Sequence, residues 1–191
     1  MTSARLEAFS DGVFAILITI LVLELRAPAA AGAAALRPVL PAFLGYLLSF
    51  VFLGIYWSNH HHLLQVVEQV DGRVLWANLH LLFWLSLIPF ATAWMGSTSF
   101  APVPVALYGG LLLGAALGYF VLTRALLALH AADSTLARAL GRDLKGRVSV
   151  GIYVGAVVLA CRWPLAACAL YVLVAVMWLV PDRRIERTLA G

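Results

Sequence analysis

Charged side chains are scarce in this 191-residue chain: Asp, Glu, Lys and Arg make up 12% of it, and 63% of the residues are hydrophobic. Soluble globular domains carry about 25% charged and about 45–50% apolar residues, because a surface in water needs polar side chains. The composition therefore excludes a secreted, disordered or DNA-binding protein. Lipid must solvate most of the surface, and a net charge of +4 then needs no nucleic acid to explain it.

Cysteine is equally rare, since only Cys161 and Cys168 are present. Two cysteines in apolar sequence argue against a disulfide framework, and we expect both to act as small hydrophobic side chains. The first apolar run also lacks a cleavage site of small residues followed by a hydrophilic domain. That absence predicts a retained membrane helix rather than a signal peptide.

Long apolar runs, by contrast, fill the chain. A bilayer core requires about 20 helical residues, and four runs meet that length, at residues 8–25, 39–60, 74–95 and 103–129. Residues 148–180 are interrupted only by Arg162, Trp163 and Pro164, which predicts a hairpin of two short helices, with a re-entrant hairpin as the alternative. The predicted fold class is an all-α integral membrane protein with six transmembrane helices in a single domain, residues 1–191.

The distribution of Lys and Arg predicts the orientation of these helices. If the N-terminus is cytoplasmic, three of the basic residues fall outside, namely Arg26, Arg37 and Arg162, and ten fall inside, namely Arg5, Arg73, Arg124, Arg138, Arg142, Lys145, Arg147, Arg183, Arg184 and Arg187. Cytoplasmic loops carry such an excess. Both termini of a cell-membrane protein are therefore predicted to be cytoplasmic, with residues 130–147 as a solvated loop or short surface helix.

The first apolar run begins with an unusual polar motif, Arg5 followed by Phe9, Ser10 and Asp11. An aspartate one or two turns into a membrane helix is costly unless it is paired or hydrated. This Arg-x-x-x-Phe-Ser-Asp pattern, followed by an apolar helix that ends in Leu-Val-Leu-Glu, resembles the defining motif of the TMEM175 family of potassium channels.

Further features in the next two runs are similar to signatures of the same family. Trp57, His60 and His61 end the second run, and Asn78 precedes a Pro89-Phe90 pair in the third. Together with the first motif they cover about half the chain. The single Phe-Ser-Asp element resembles the prokaryotic form, which has one six-helix repeat, whereas eukaryotic members carry two.

The resemblance implies a potassium-selective cation channel assembled as a homotetramer in the lipid bilayer, with the first helix lining a central pore. Potassium would be a transient occupant, with no fixed metal, no cofactor and no nucleic-acid partner. No Thr-Val-Gly-Tyr-Gly-like segment occurs in the sequence, so a carbonyl filter of the familiar kind is not expected. The motif residues Arg5, Phe9, Ser10, Asp11, Trp57, His60, His61 and Asn78 would support the pore helix.

Helical geometry sorts the first run into two faces. At about 100° per residue, one stripe contains Ile16, Thr19, Ile20 and Leu23, and Phe9 and Gly12 extend it. Periodicity alone fits contact with lipid or another helix better than a pore, but the resemblance implies that the stripe forms the constriction. Rings of Ile and Leu can close a pore by dewetting. The Thr19 hydroxyl would meet potassium or bond its own helix backbone, and the sequence does not decide between them.

Asp11 points nearly opposite to this stripe, toward the interior of its own subunit. It then needs donors from a neighbouring helix, for which the candidates are Trp57, Asn59, His60 and His61. Arg5 is not its helical neighbour. Arg5 would instead pair with Glu7, Asp71 or a lipid phosphate.

Three other functions fit the sequence less well. A bis-His haem between His61 and His80 is geometrically feasible, but histidines near helix ends usually have other partners. A proton-coupled or other secondary transporter is the stronger alternative, although such proteins place ionisable groups near the bilayer midplane and none is identified there. No combination of nucleophile, base and orienting residue indicates an enzyme.

Overall fold

The computed structural model describes residues 2–67, 69–130 and 144–179, and the regular elements in these ranges are helices. They are α1 (Ser3–Leu23), α2 (Leu40–Gln65), α3 (Gly72–Ser86), α4 (Ile88–Ser97), α5 (Pro102–Leu129), α6 (Leu144–Ala160) and α7 (Pro164–Leu179). A short 3-10 segment, Ala33–Val39, leads into α2. Only Leu87 separates α3 from α4, so the two form one span and the predicted six-helix architecture is confirmed.

Among the described residues, four helical segments are long and apolar enough to cross a membrane: Ser3–Leu23, Ala33–Gln65, Gly72–Ser97 and Pro102–Leu129. The other two, α6 and α7, have 17 and 16 residues and pack against each other. At 1.5 Å per residue each reaches about 25 Å. The turn between them contains Arg162 and Trp163, where the sequence predicted the hairpin.

Proline marks the starts of several helices. Pro102 and Pro164 are the first residues of α5 and α7, a position where the missing N–H would have no helical acceptor. Pro89 lies in the first turn of α4, and its ring is incompatible with an uninterrupted helix from α3. The predicted third span is therefore broken at Leu87.

Two helices extend further into polar sequence than predicted. α1 begins at Ser3 rather than residue 8, so Arg5 and Glu7 are helical, and α2 continues past His60 to Gln65. The extra turns are stabilised by polar contacts between the two helices, which hydropathy does not detect.

The polar segment at residues 130–147, predicted as a solvated loop or short surface helix, overlaps the start of α6, which begins at Leu144 and includes Lys145 and Arg147. Residues 131–143 lie outside the described residues. Five of the ten basic residues behind the predicted orientation also lie outside the described residues, namely Arg138, Arg142, Arg183, Arg184 and Arg187.

Helix α5 packs against α3 on one side and against α6 on another, while α2 packs against α1 and α4. Glycine allows the closest of these approaches: a Cβ added at Gly118 would lie 2.9 Å from the Cα of Leu81, and one at Gly114 would lie 2.4 Å from the Trp84 ring. The small residues of α5 therefore form a helix-packing face.

Both cysteine thiols are free, but their surroundings differ. Cys168 is partly buried against the core, as expected of a small hydrophobic side chain. Cys161 is exposed at the α6–α7 turn, so its role as a small hydrophobic side chain stays a prediction.

Candidate functional site

Helix α1 has one buried face and one uncovered face. The buried residues recur every three or four positions and are Leu6, Ser10, Phe14, Leu17 and Leu21. This face packs mainly against α2, with smaller contacts to α3 and α4. The spacing is that of a helix with one partner surface, so the rotation of α1 about its own axis is fixed by the rest of the chain.

The residues proposed from sequence as pore-lining all lie on the uncovered face. Ile16 is 58% exposed, Ile20 is 37% exposed and Leu23 is 77% exposed. Thr19 is exposed too, and its hydroxyl donates a hydrogen bond to the carbonyl oxygen of Ile16 at 2.8 Å. A single chain therefore presents an apolar stripe on which none of the described residues packs.

On the buried side, three polar side chains form a hydrogen-bonded chain across three helices. The Asn78 amide nitrogen donates to Ser10 Oγ at 3.0 Å, and Asn78 Oδ1 lies 2.7 Å from His60 Nε2. Ser10 also donates to the carbonyl oxygen of Leu6 at 2.9 Å. All three side chains are fully buried, where an unpaired polar group would be costly, so the chain fixes α1, α2 and α3 relative to one another.

A second set of contacts joins α1 to α2 next to this buried chain. Trp57 Nε1 donates to Asp11 Oδ1 at 2.9 Å, so Asp11 has one of its four candidate donors. One turn away, His61 Nδ1 lies 2.6 Å from Glu7 Oε1. The Trp57 and His61 rings are also stacked, with centroids 6.0 Å apart.

Two of the three partners proposed for Arg5 are engaged elsewhere. Glu7 pairs with His61, and Asp71 caps α3 by accepting from the Val74 backbone N–H at 2.9 Å. Arg5 itself is exposed and makes no ion pair within the described ranges. Of the proposed partners, lipid phosphate remains.

The histidines of α2 and α3 do not form a haem site. Both ring nitrogens of His61 are engaged, Nδ1 with Glu7 and Nε2 with Gln65 at 2.8 Å. His80 Nε2 accepts from the indole N–H of Trp84 at 2.9 Å. His61 therefore keeps no free ring nitrogen for axial ligation of iron, which argues against the His61–His80 pair.

Sequence reasoning missed Glu7 as a member of the site. A usable signal was present, because Glu7 and Asp11 are four residues apart on α1 and Trp57 and His61 are four residues apart on α2. Residues at that spacing share a helix face. Two antiparallel helices could therefore bring both pairs together, as the structure shows.

Comparison with known proteins assigns the arrangement to a family. Residues 5–89, which contain the whole polar network described above, match the family described as "Endosomal/lysosomal potassium channel TMEM175". The human "Endosomal/lysosomal proton channel TMEM175" is 31% identical over 116 residues, which cover 54% of this chain and 23% of that protein.

Bacterial relatives match over nearly the full length. A protein of Chryseobacterium sp. named as a potassium channel is 50% identical over 189 residues, covering 99% of this chain and 98% of the relative. The crystal structure of a lysosomal potassium-selective channel TMEM175 homolog from Chamaesiphon minutus superposes with a TM-score of 0.76 at 29% identity, covering 93% of this chain and 96% of that one. The six-helix chain with the Phe9-Ser10-Asp11 motif therefore belongs to the TMEM175 family of ion channels.

Proposed function

We propose that four copies of this chain form a homotetramer of cyclic symmetry around a potassium pore, and that α1 of each copy lines it. The chain is a potassium channel by its family and by its 50% identity to a relative of that name. The tetramer, the pore-lining face and the constriction are the parts that we add.

The observation that carries this proposal is the uncovered apolar face of α1, opposite a face held by buried hydrogen bonds. One helix cannot enclose a pore. Closed rotational symmetry would bring equivalent faces of several chains to one axis, and the uncovered face of α1 is positioned to meet its copies there.

We place the constriction at Ile16, with Ile20 and Leu23 one and two turns further along the same face. A ring of such side chains offers no oxygen to replace the water of a hydrated ion, so it closes the pore by excluding water. Thr19 gives its hydroxyl hydrogen to the Ile16 carbonyl, and the hydroxyl oxygen keeps lone pairs for a partly dehydrated potassium ion.

The polar motif residues support the pore helix in this mechanism and do not touch the ion. Ser10 and Asp11 face their own subunit, where Asn78 and Trp57 donate to them. A shift in these contacts would turn α1 and move Ile16 relative to the axis. The network therefore sets the width of the pore.

We further propose that the chain acts as one six-helix channel domain, residues 1–191, in the cell membrane with both termini in the cytoplasm. Potassium is its cargo, and it works without a cofactor, a fixed metal or a nucleic-acid partner. The excess of Lys and Arg on one side of the membrane supports this orientation.

Native mass in several mild detergents and potassium flux into liposomes test the proposal together. We expect a tetramer and passive flux down a potassium gradient with no proton gradient present. A monomer in every detergent would contradict the assembly. Flux that requires an opposing proton gradient would instead indicate the secondary transporter, which the channel relatives do not favour.

A further inference from the structure

A cavity of about 320 Å³ lies between α2, α5, α6 and α7, and α1 contributes nothing to its lining. Its deep end is formed by Phe52 and Tyr153, whose ring centroids are 6.4 Å apart. Its opposite end is lined by Arg147 and Trp178. Tyr153 and Arg147 are six residues apart on α6, so the cavity extends roughly 9 Å along the helices.

Many of the side chains that line this cavity are apolar, and the polar groups of Tyr119, Asn59, Trp178 and Ser149 already have partners. Tyr119 donates to the Asn59 carbonyl oxygen at 3.2 Å, and the Asn59 amide donates to the Ile55 carbonyl oxygen at 2.8 Å. The indole N–H of Trp178 donates to Ser149 Oγ at 2.9 Å, and Ser149 donates to the Lys145 carbonyl oxygen at 2.8 Å. A hydrocarbon chain could enter without leaving these groups unpaired.

The mouth of the cavity is positively charged. Arg147 lines it, is exposed and makes no ion pair within the ranges that the structure describes. The Lys145 ammonium lies 5.9 Å from the centre of the Trp178 ring, beside the same opening. Both side chains are in the first turn of α6, on the membrane side where Lys and Arg are concentrated.

We propose that the cavity binds one anionic phospholipid, with an acyl chain between α2, α5 and α6 and the phosphate against Arg147. Basic pockets between transmembrane helices on the cytoplasmic side recognise anionic lipid headgroups in this way. The opening lies between α2, α5, α6 and α7 and not on α1, so in this proposal the bilayer itself supplies the occupant. With α1 lining the pore as proposed above, the site is separate from the ion pathway, because α1 contributes nothing to its lining.

Lipid retention measured by native mass spectrometry tests the site on the whole purified protein. After exchange into detergent with phosphatidylglycerol or phosphatidylcholine, we expect one phosphatidylglycerol per chain to survive and phosphatidylcholine to be lost. Arg147→Gln should weaken retention of phosphatidylglycerol about fivefold, the effect of one basic residue near anionic lipid. Arg162→Gln is the matched control, because Arg162 is exposed at the opposite end of α6, and it should retain the lipid as the unmodified chain does.

A second variant tests the acyl-chain part of the cavity. Ala116 lines it, so Ala116→Phe should fill the space and abolish retention, whereas Ala106→Phe on the same helix and outside the cavity should not. If Ala116→Phe does not fold, the Arg147 comparison decides alone. Equal retention of phosphatidylglycerol and phosphatidylcholine would overturn the proposal, and so would Arg147→Gln retaining phosphatidylglycerol as well as the unmodified chain does. The proposal would also be overturned if glycerol phosphate, which has no acyl chains, raised the melting temperature as much as phosphatidylglycerol does.

Discussion

Asp11 and Trp57 are joined by a 2.9 Å hydrogen bond from the indole N–H to a carboxylate oxygen, and this bond sets the rotation of α1 against α2. The Glu7–His61 contact repeats the same pairing one turn away. Two contacts in register along antiparallel helices permit neither rotation nor sliding of α1. Because Glu7 and Asp11 hold one face of α1 against α2, the apolar stripe of α1 points away from the subunit.

Replacing Asp11 by Ala should remove the acceptor of Trp57 and destabilise the protein by about 1.5 kcal/mol, the lower end of the range for a hydrogen bond to a charged group, because Asp11 is only partly buried. The loss should appear as a lower melting temperature and a smaller tetramer fraction in detergent. Ion selectivity of the assembled fraction should be unchanged, because the carboxylate faces its own subunit.

Asp11→Asn is the matched control, since its amide oxygen can still accept from Trp57 while the charge is gone. It should recover most of the stability. An Asp11→Ala tetramer of full stability that no longer discriminates potassium from sodium would place Asp11 at the ion and reverse our assignment.

Asn78→Ala should be at least as damaging, because it leaves buried Ser10 and His60 without their shared partner. We expect a loss of about 1–3 kcal/mol in the free energy of unfolding. Ser86→Ala on the same helix is the control. Ser86 is exposed, and its hydroxyl donates to the carbonyl oxygen of Phe83 at 2.7 Å within the helix, so removal of the hydroxyl should cost less than about 0.5 kcal/mol. Similar losses for the two variants would show that the buried chain does not stabilise the fold.

The sequence predicts the number of spans and the two faces of α1 because both depend on periodicity along one helix. Ile16 and Leu23 lie on one face and Asp11 on another at any rotation of the helix. Helix starts at Pro102 and Pro164 were also close to prediction, since proline restricts the backbone locally.

Partner choice between helices could not be predicted in the same way. Four donors were candidates for Asp11, and only the antiparallel register of α1 on α2 selects Trp57 and leaves His61 for Glu7. The extension of α1 to Ser3 depends on the same contacts. A prediction from hydropathy ends the helix where polar residues begin. In the structure the helix continues, because those polar residues are paired with residues of a second helix.

The packing of α5 gives a prediction that does not involve the polar motif. In Gly118→Ala the new Cβ would lie 2.9 Å from the backbone Cα of Leu81, so α3 and α5 must separate, at a cost of about 1–3 kcal/mol. At Gly110 no atom of the described residues outside the adjoining helix backbone lies within 4 Å of an added Cβ, so Gly110→Ala should be neutral or slightly stabilising through helix propensity. Melting temperatures in detergent measure the stability of both variants. Equal changes in melting temperature for Gly118→Ala and Gly110→Ala would contradict close packing at Gly118.

The constriction is tested by replacing Ile16 with Asn. Ile16 is 58% exposed in the single chain, so the exchange should leave the subunit fold intact while it lines the proposed ring with amide groups. Amides lower the cost of dehydrating an ion in a narrow neck. Potassium flux into liposomes should therefore rise, and discrimination against sodium should weaken.

Thr19→Val is the paired variant, because it keeps the shape of the side chain and removes only the hydroxyl that bonds the Ile16 carbonyl. Selectivity should fall in this variant if the hydroxyl oxygen meets the ion and stay constant if the hydroxyl serves only the helix backbone. Since Thr19 lies one turn from Ile16 on the same uncovered face, the two variants probe adjacent depths of one pathway. Unchanged flux and selectivity in a correctly assembled Ile16→Asn tetramer would mean that this face of α1 contacts lipid or another helix and that the narrow part of the pore lies elsewhere.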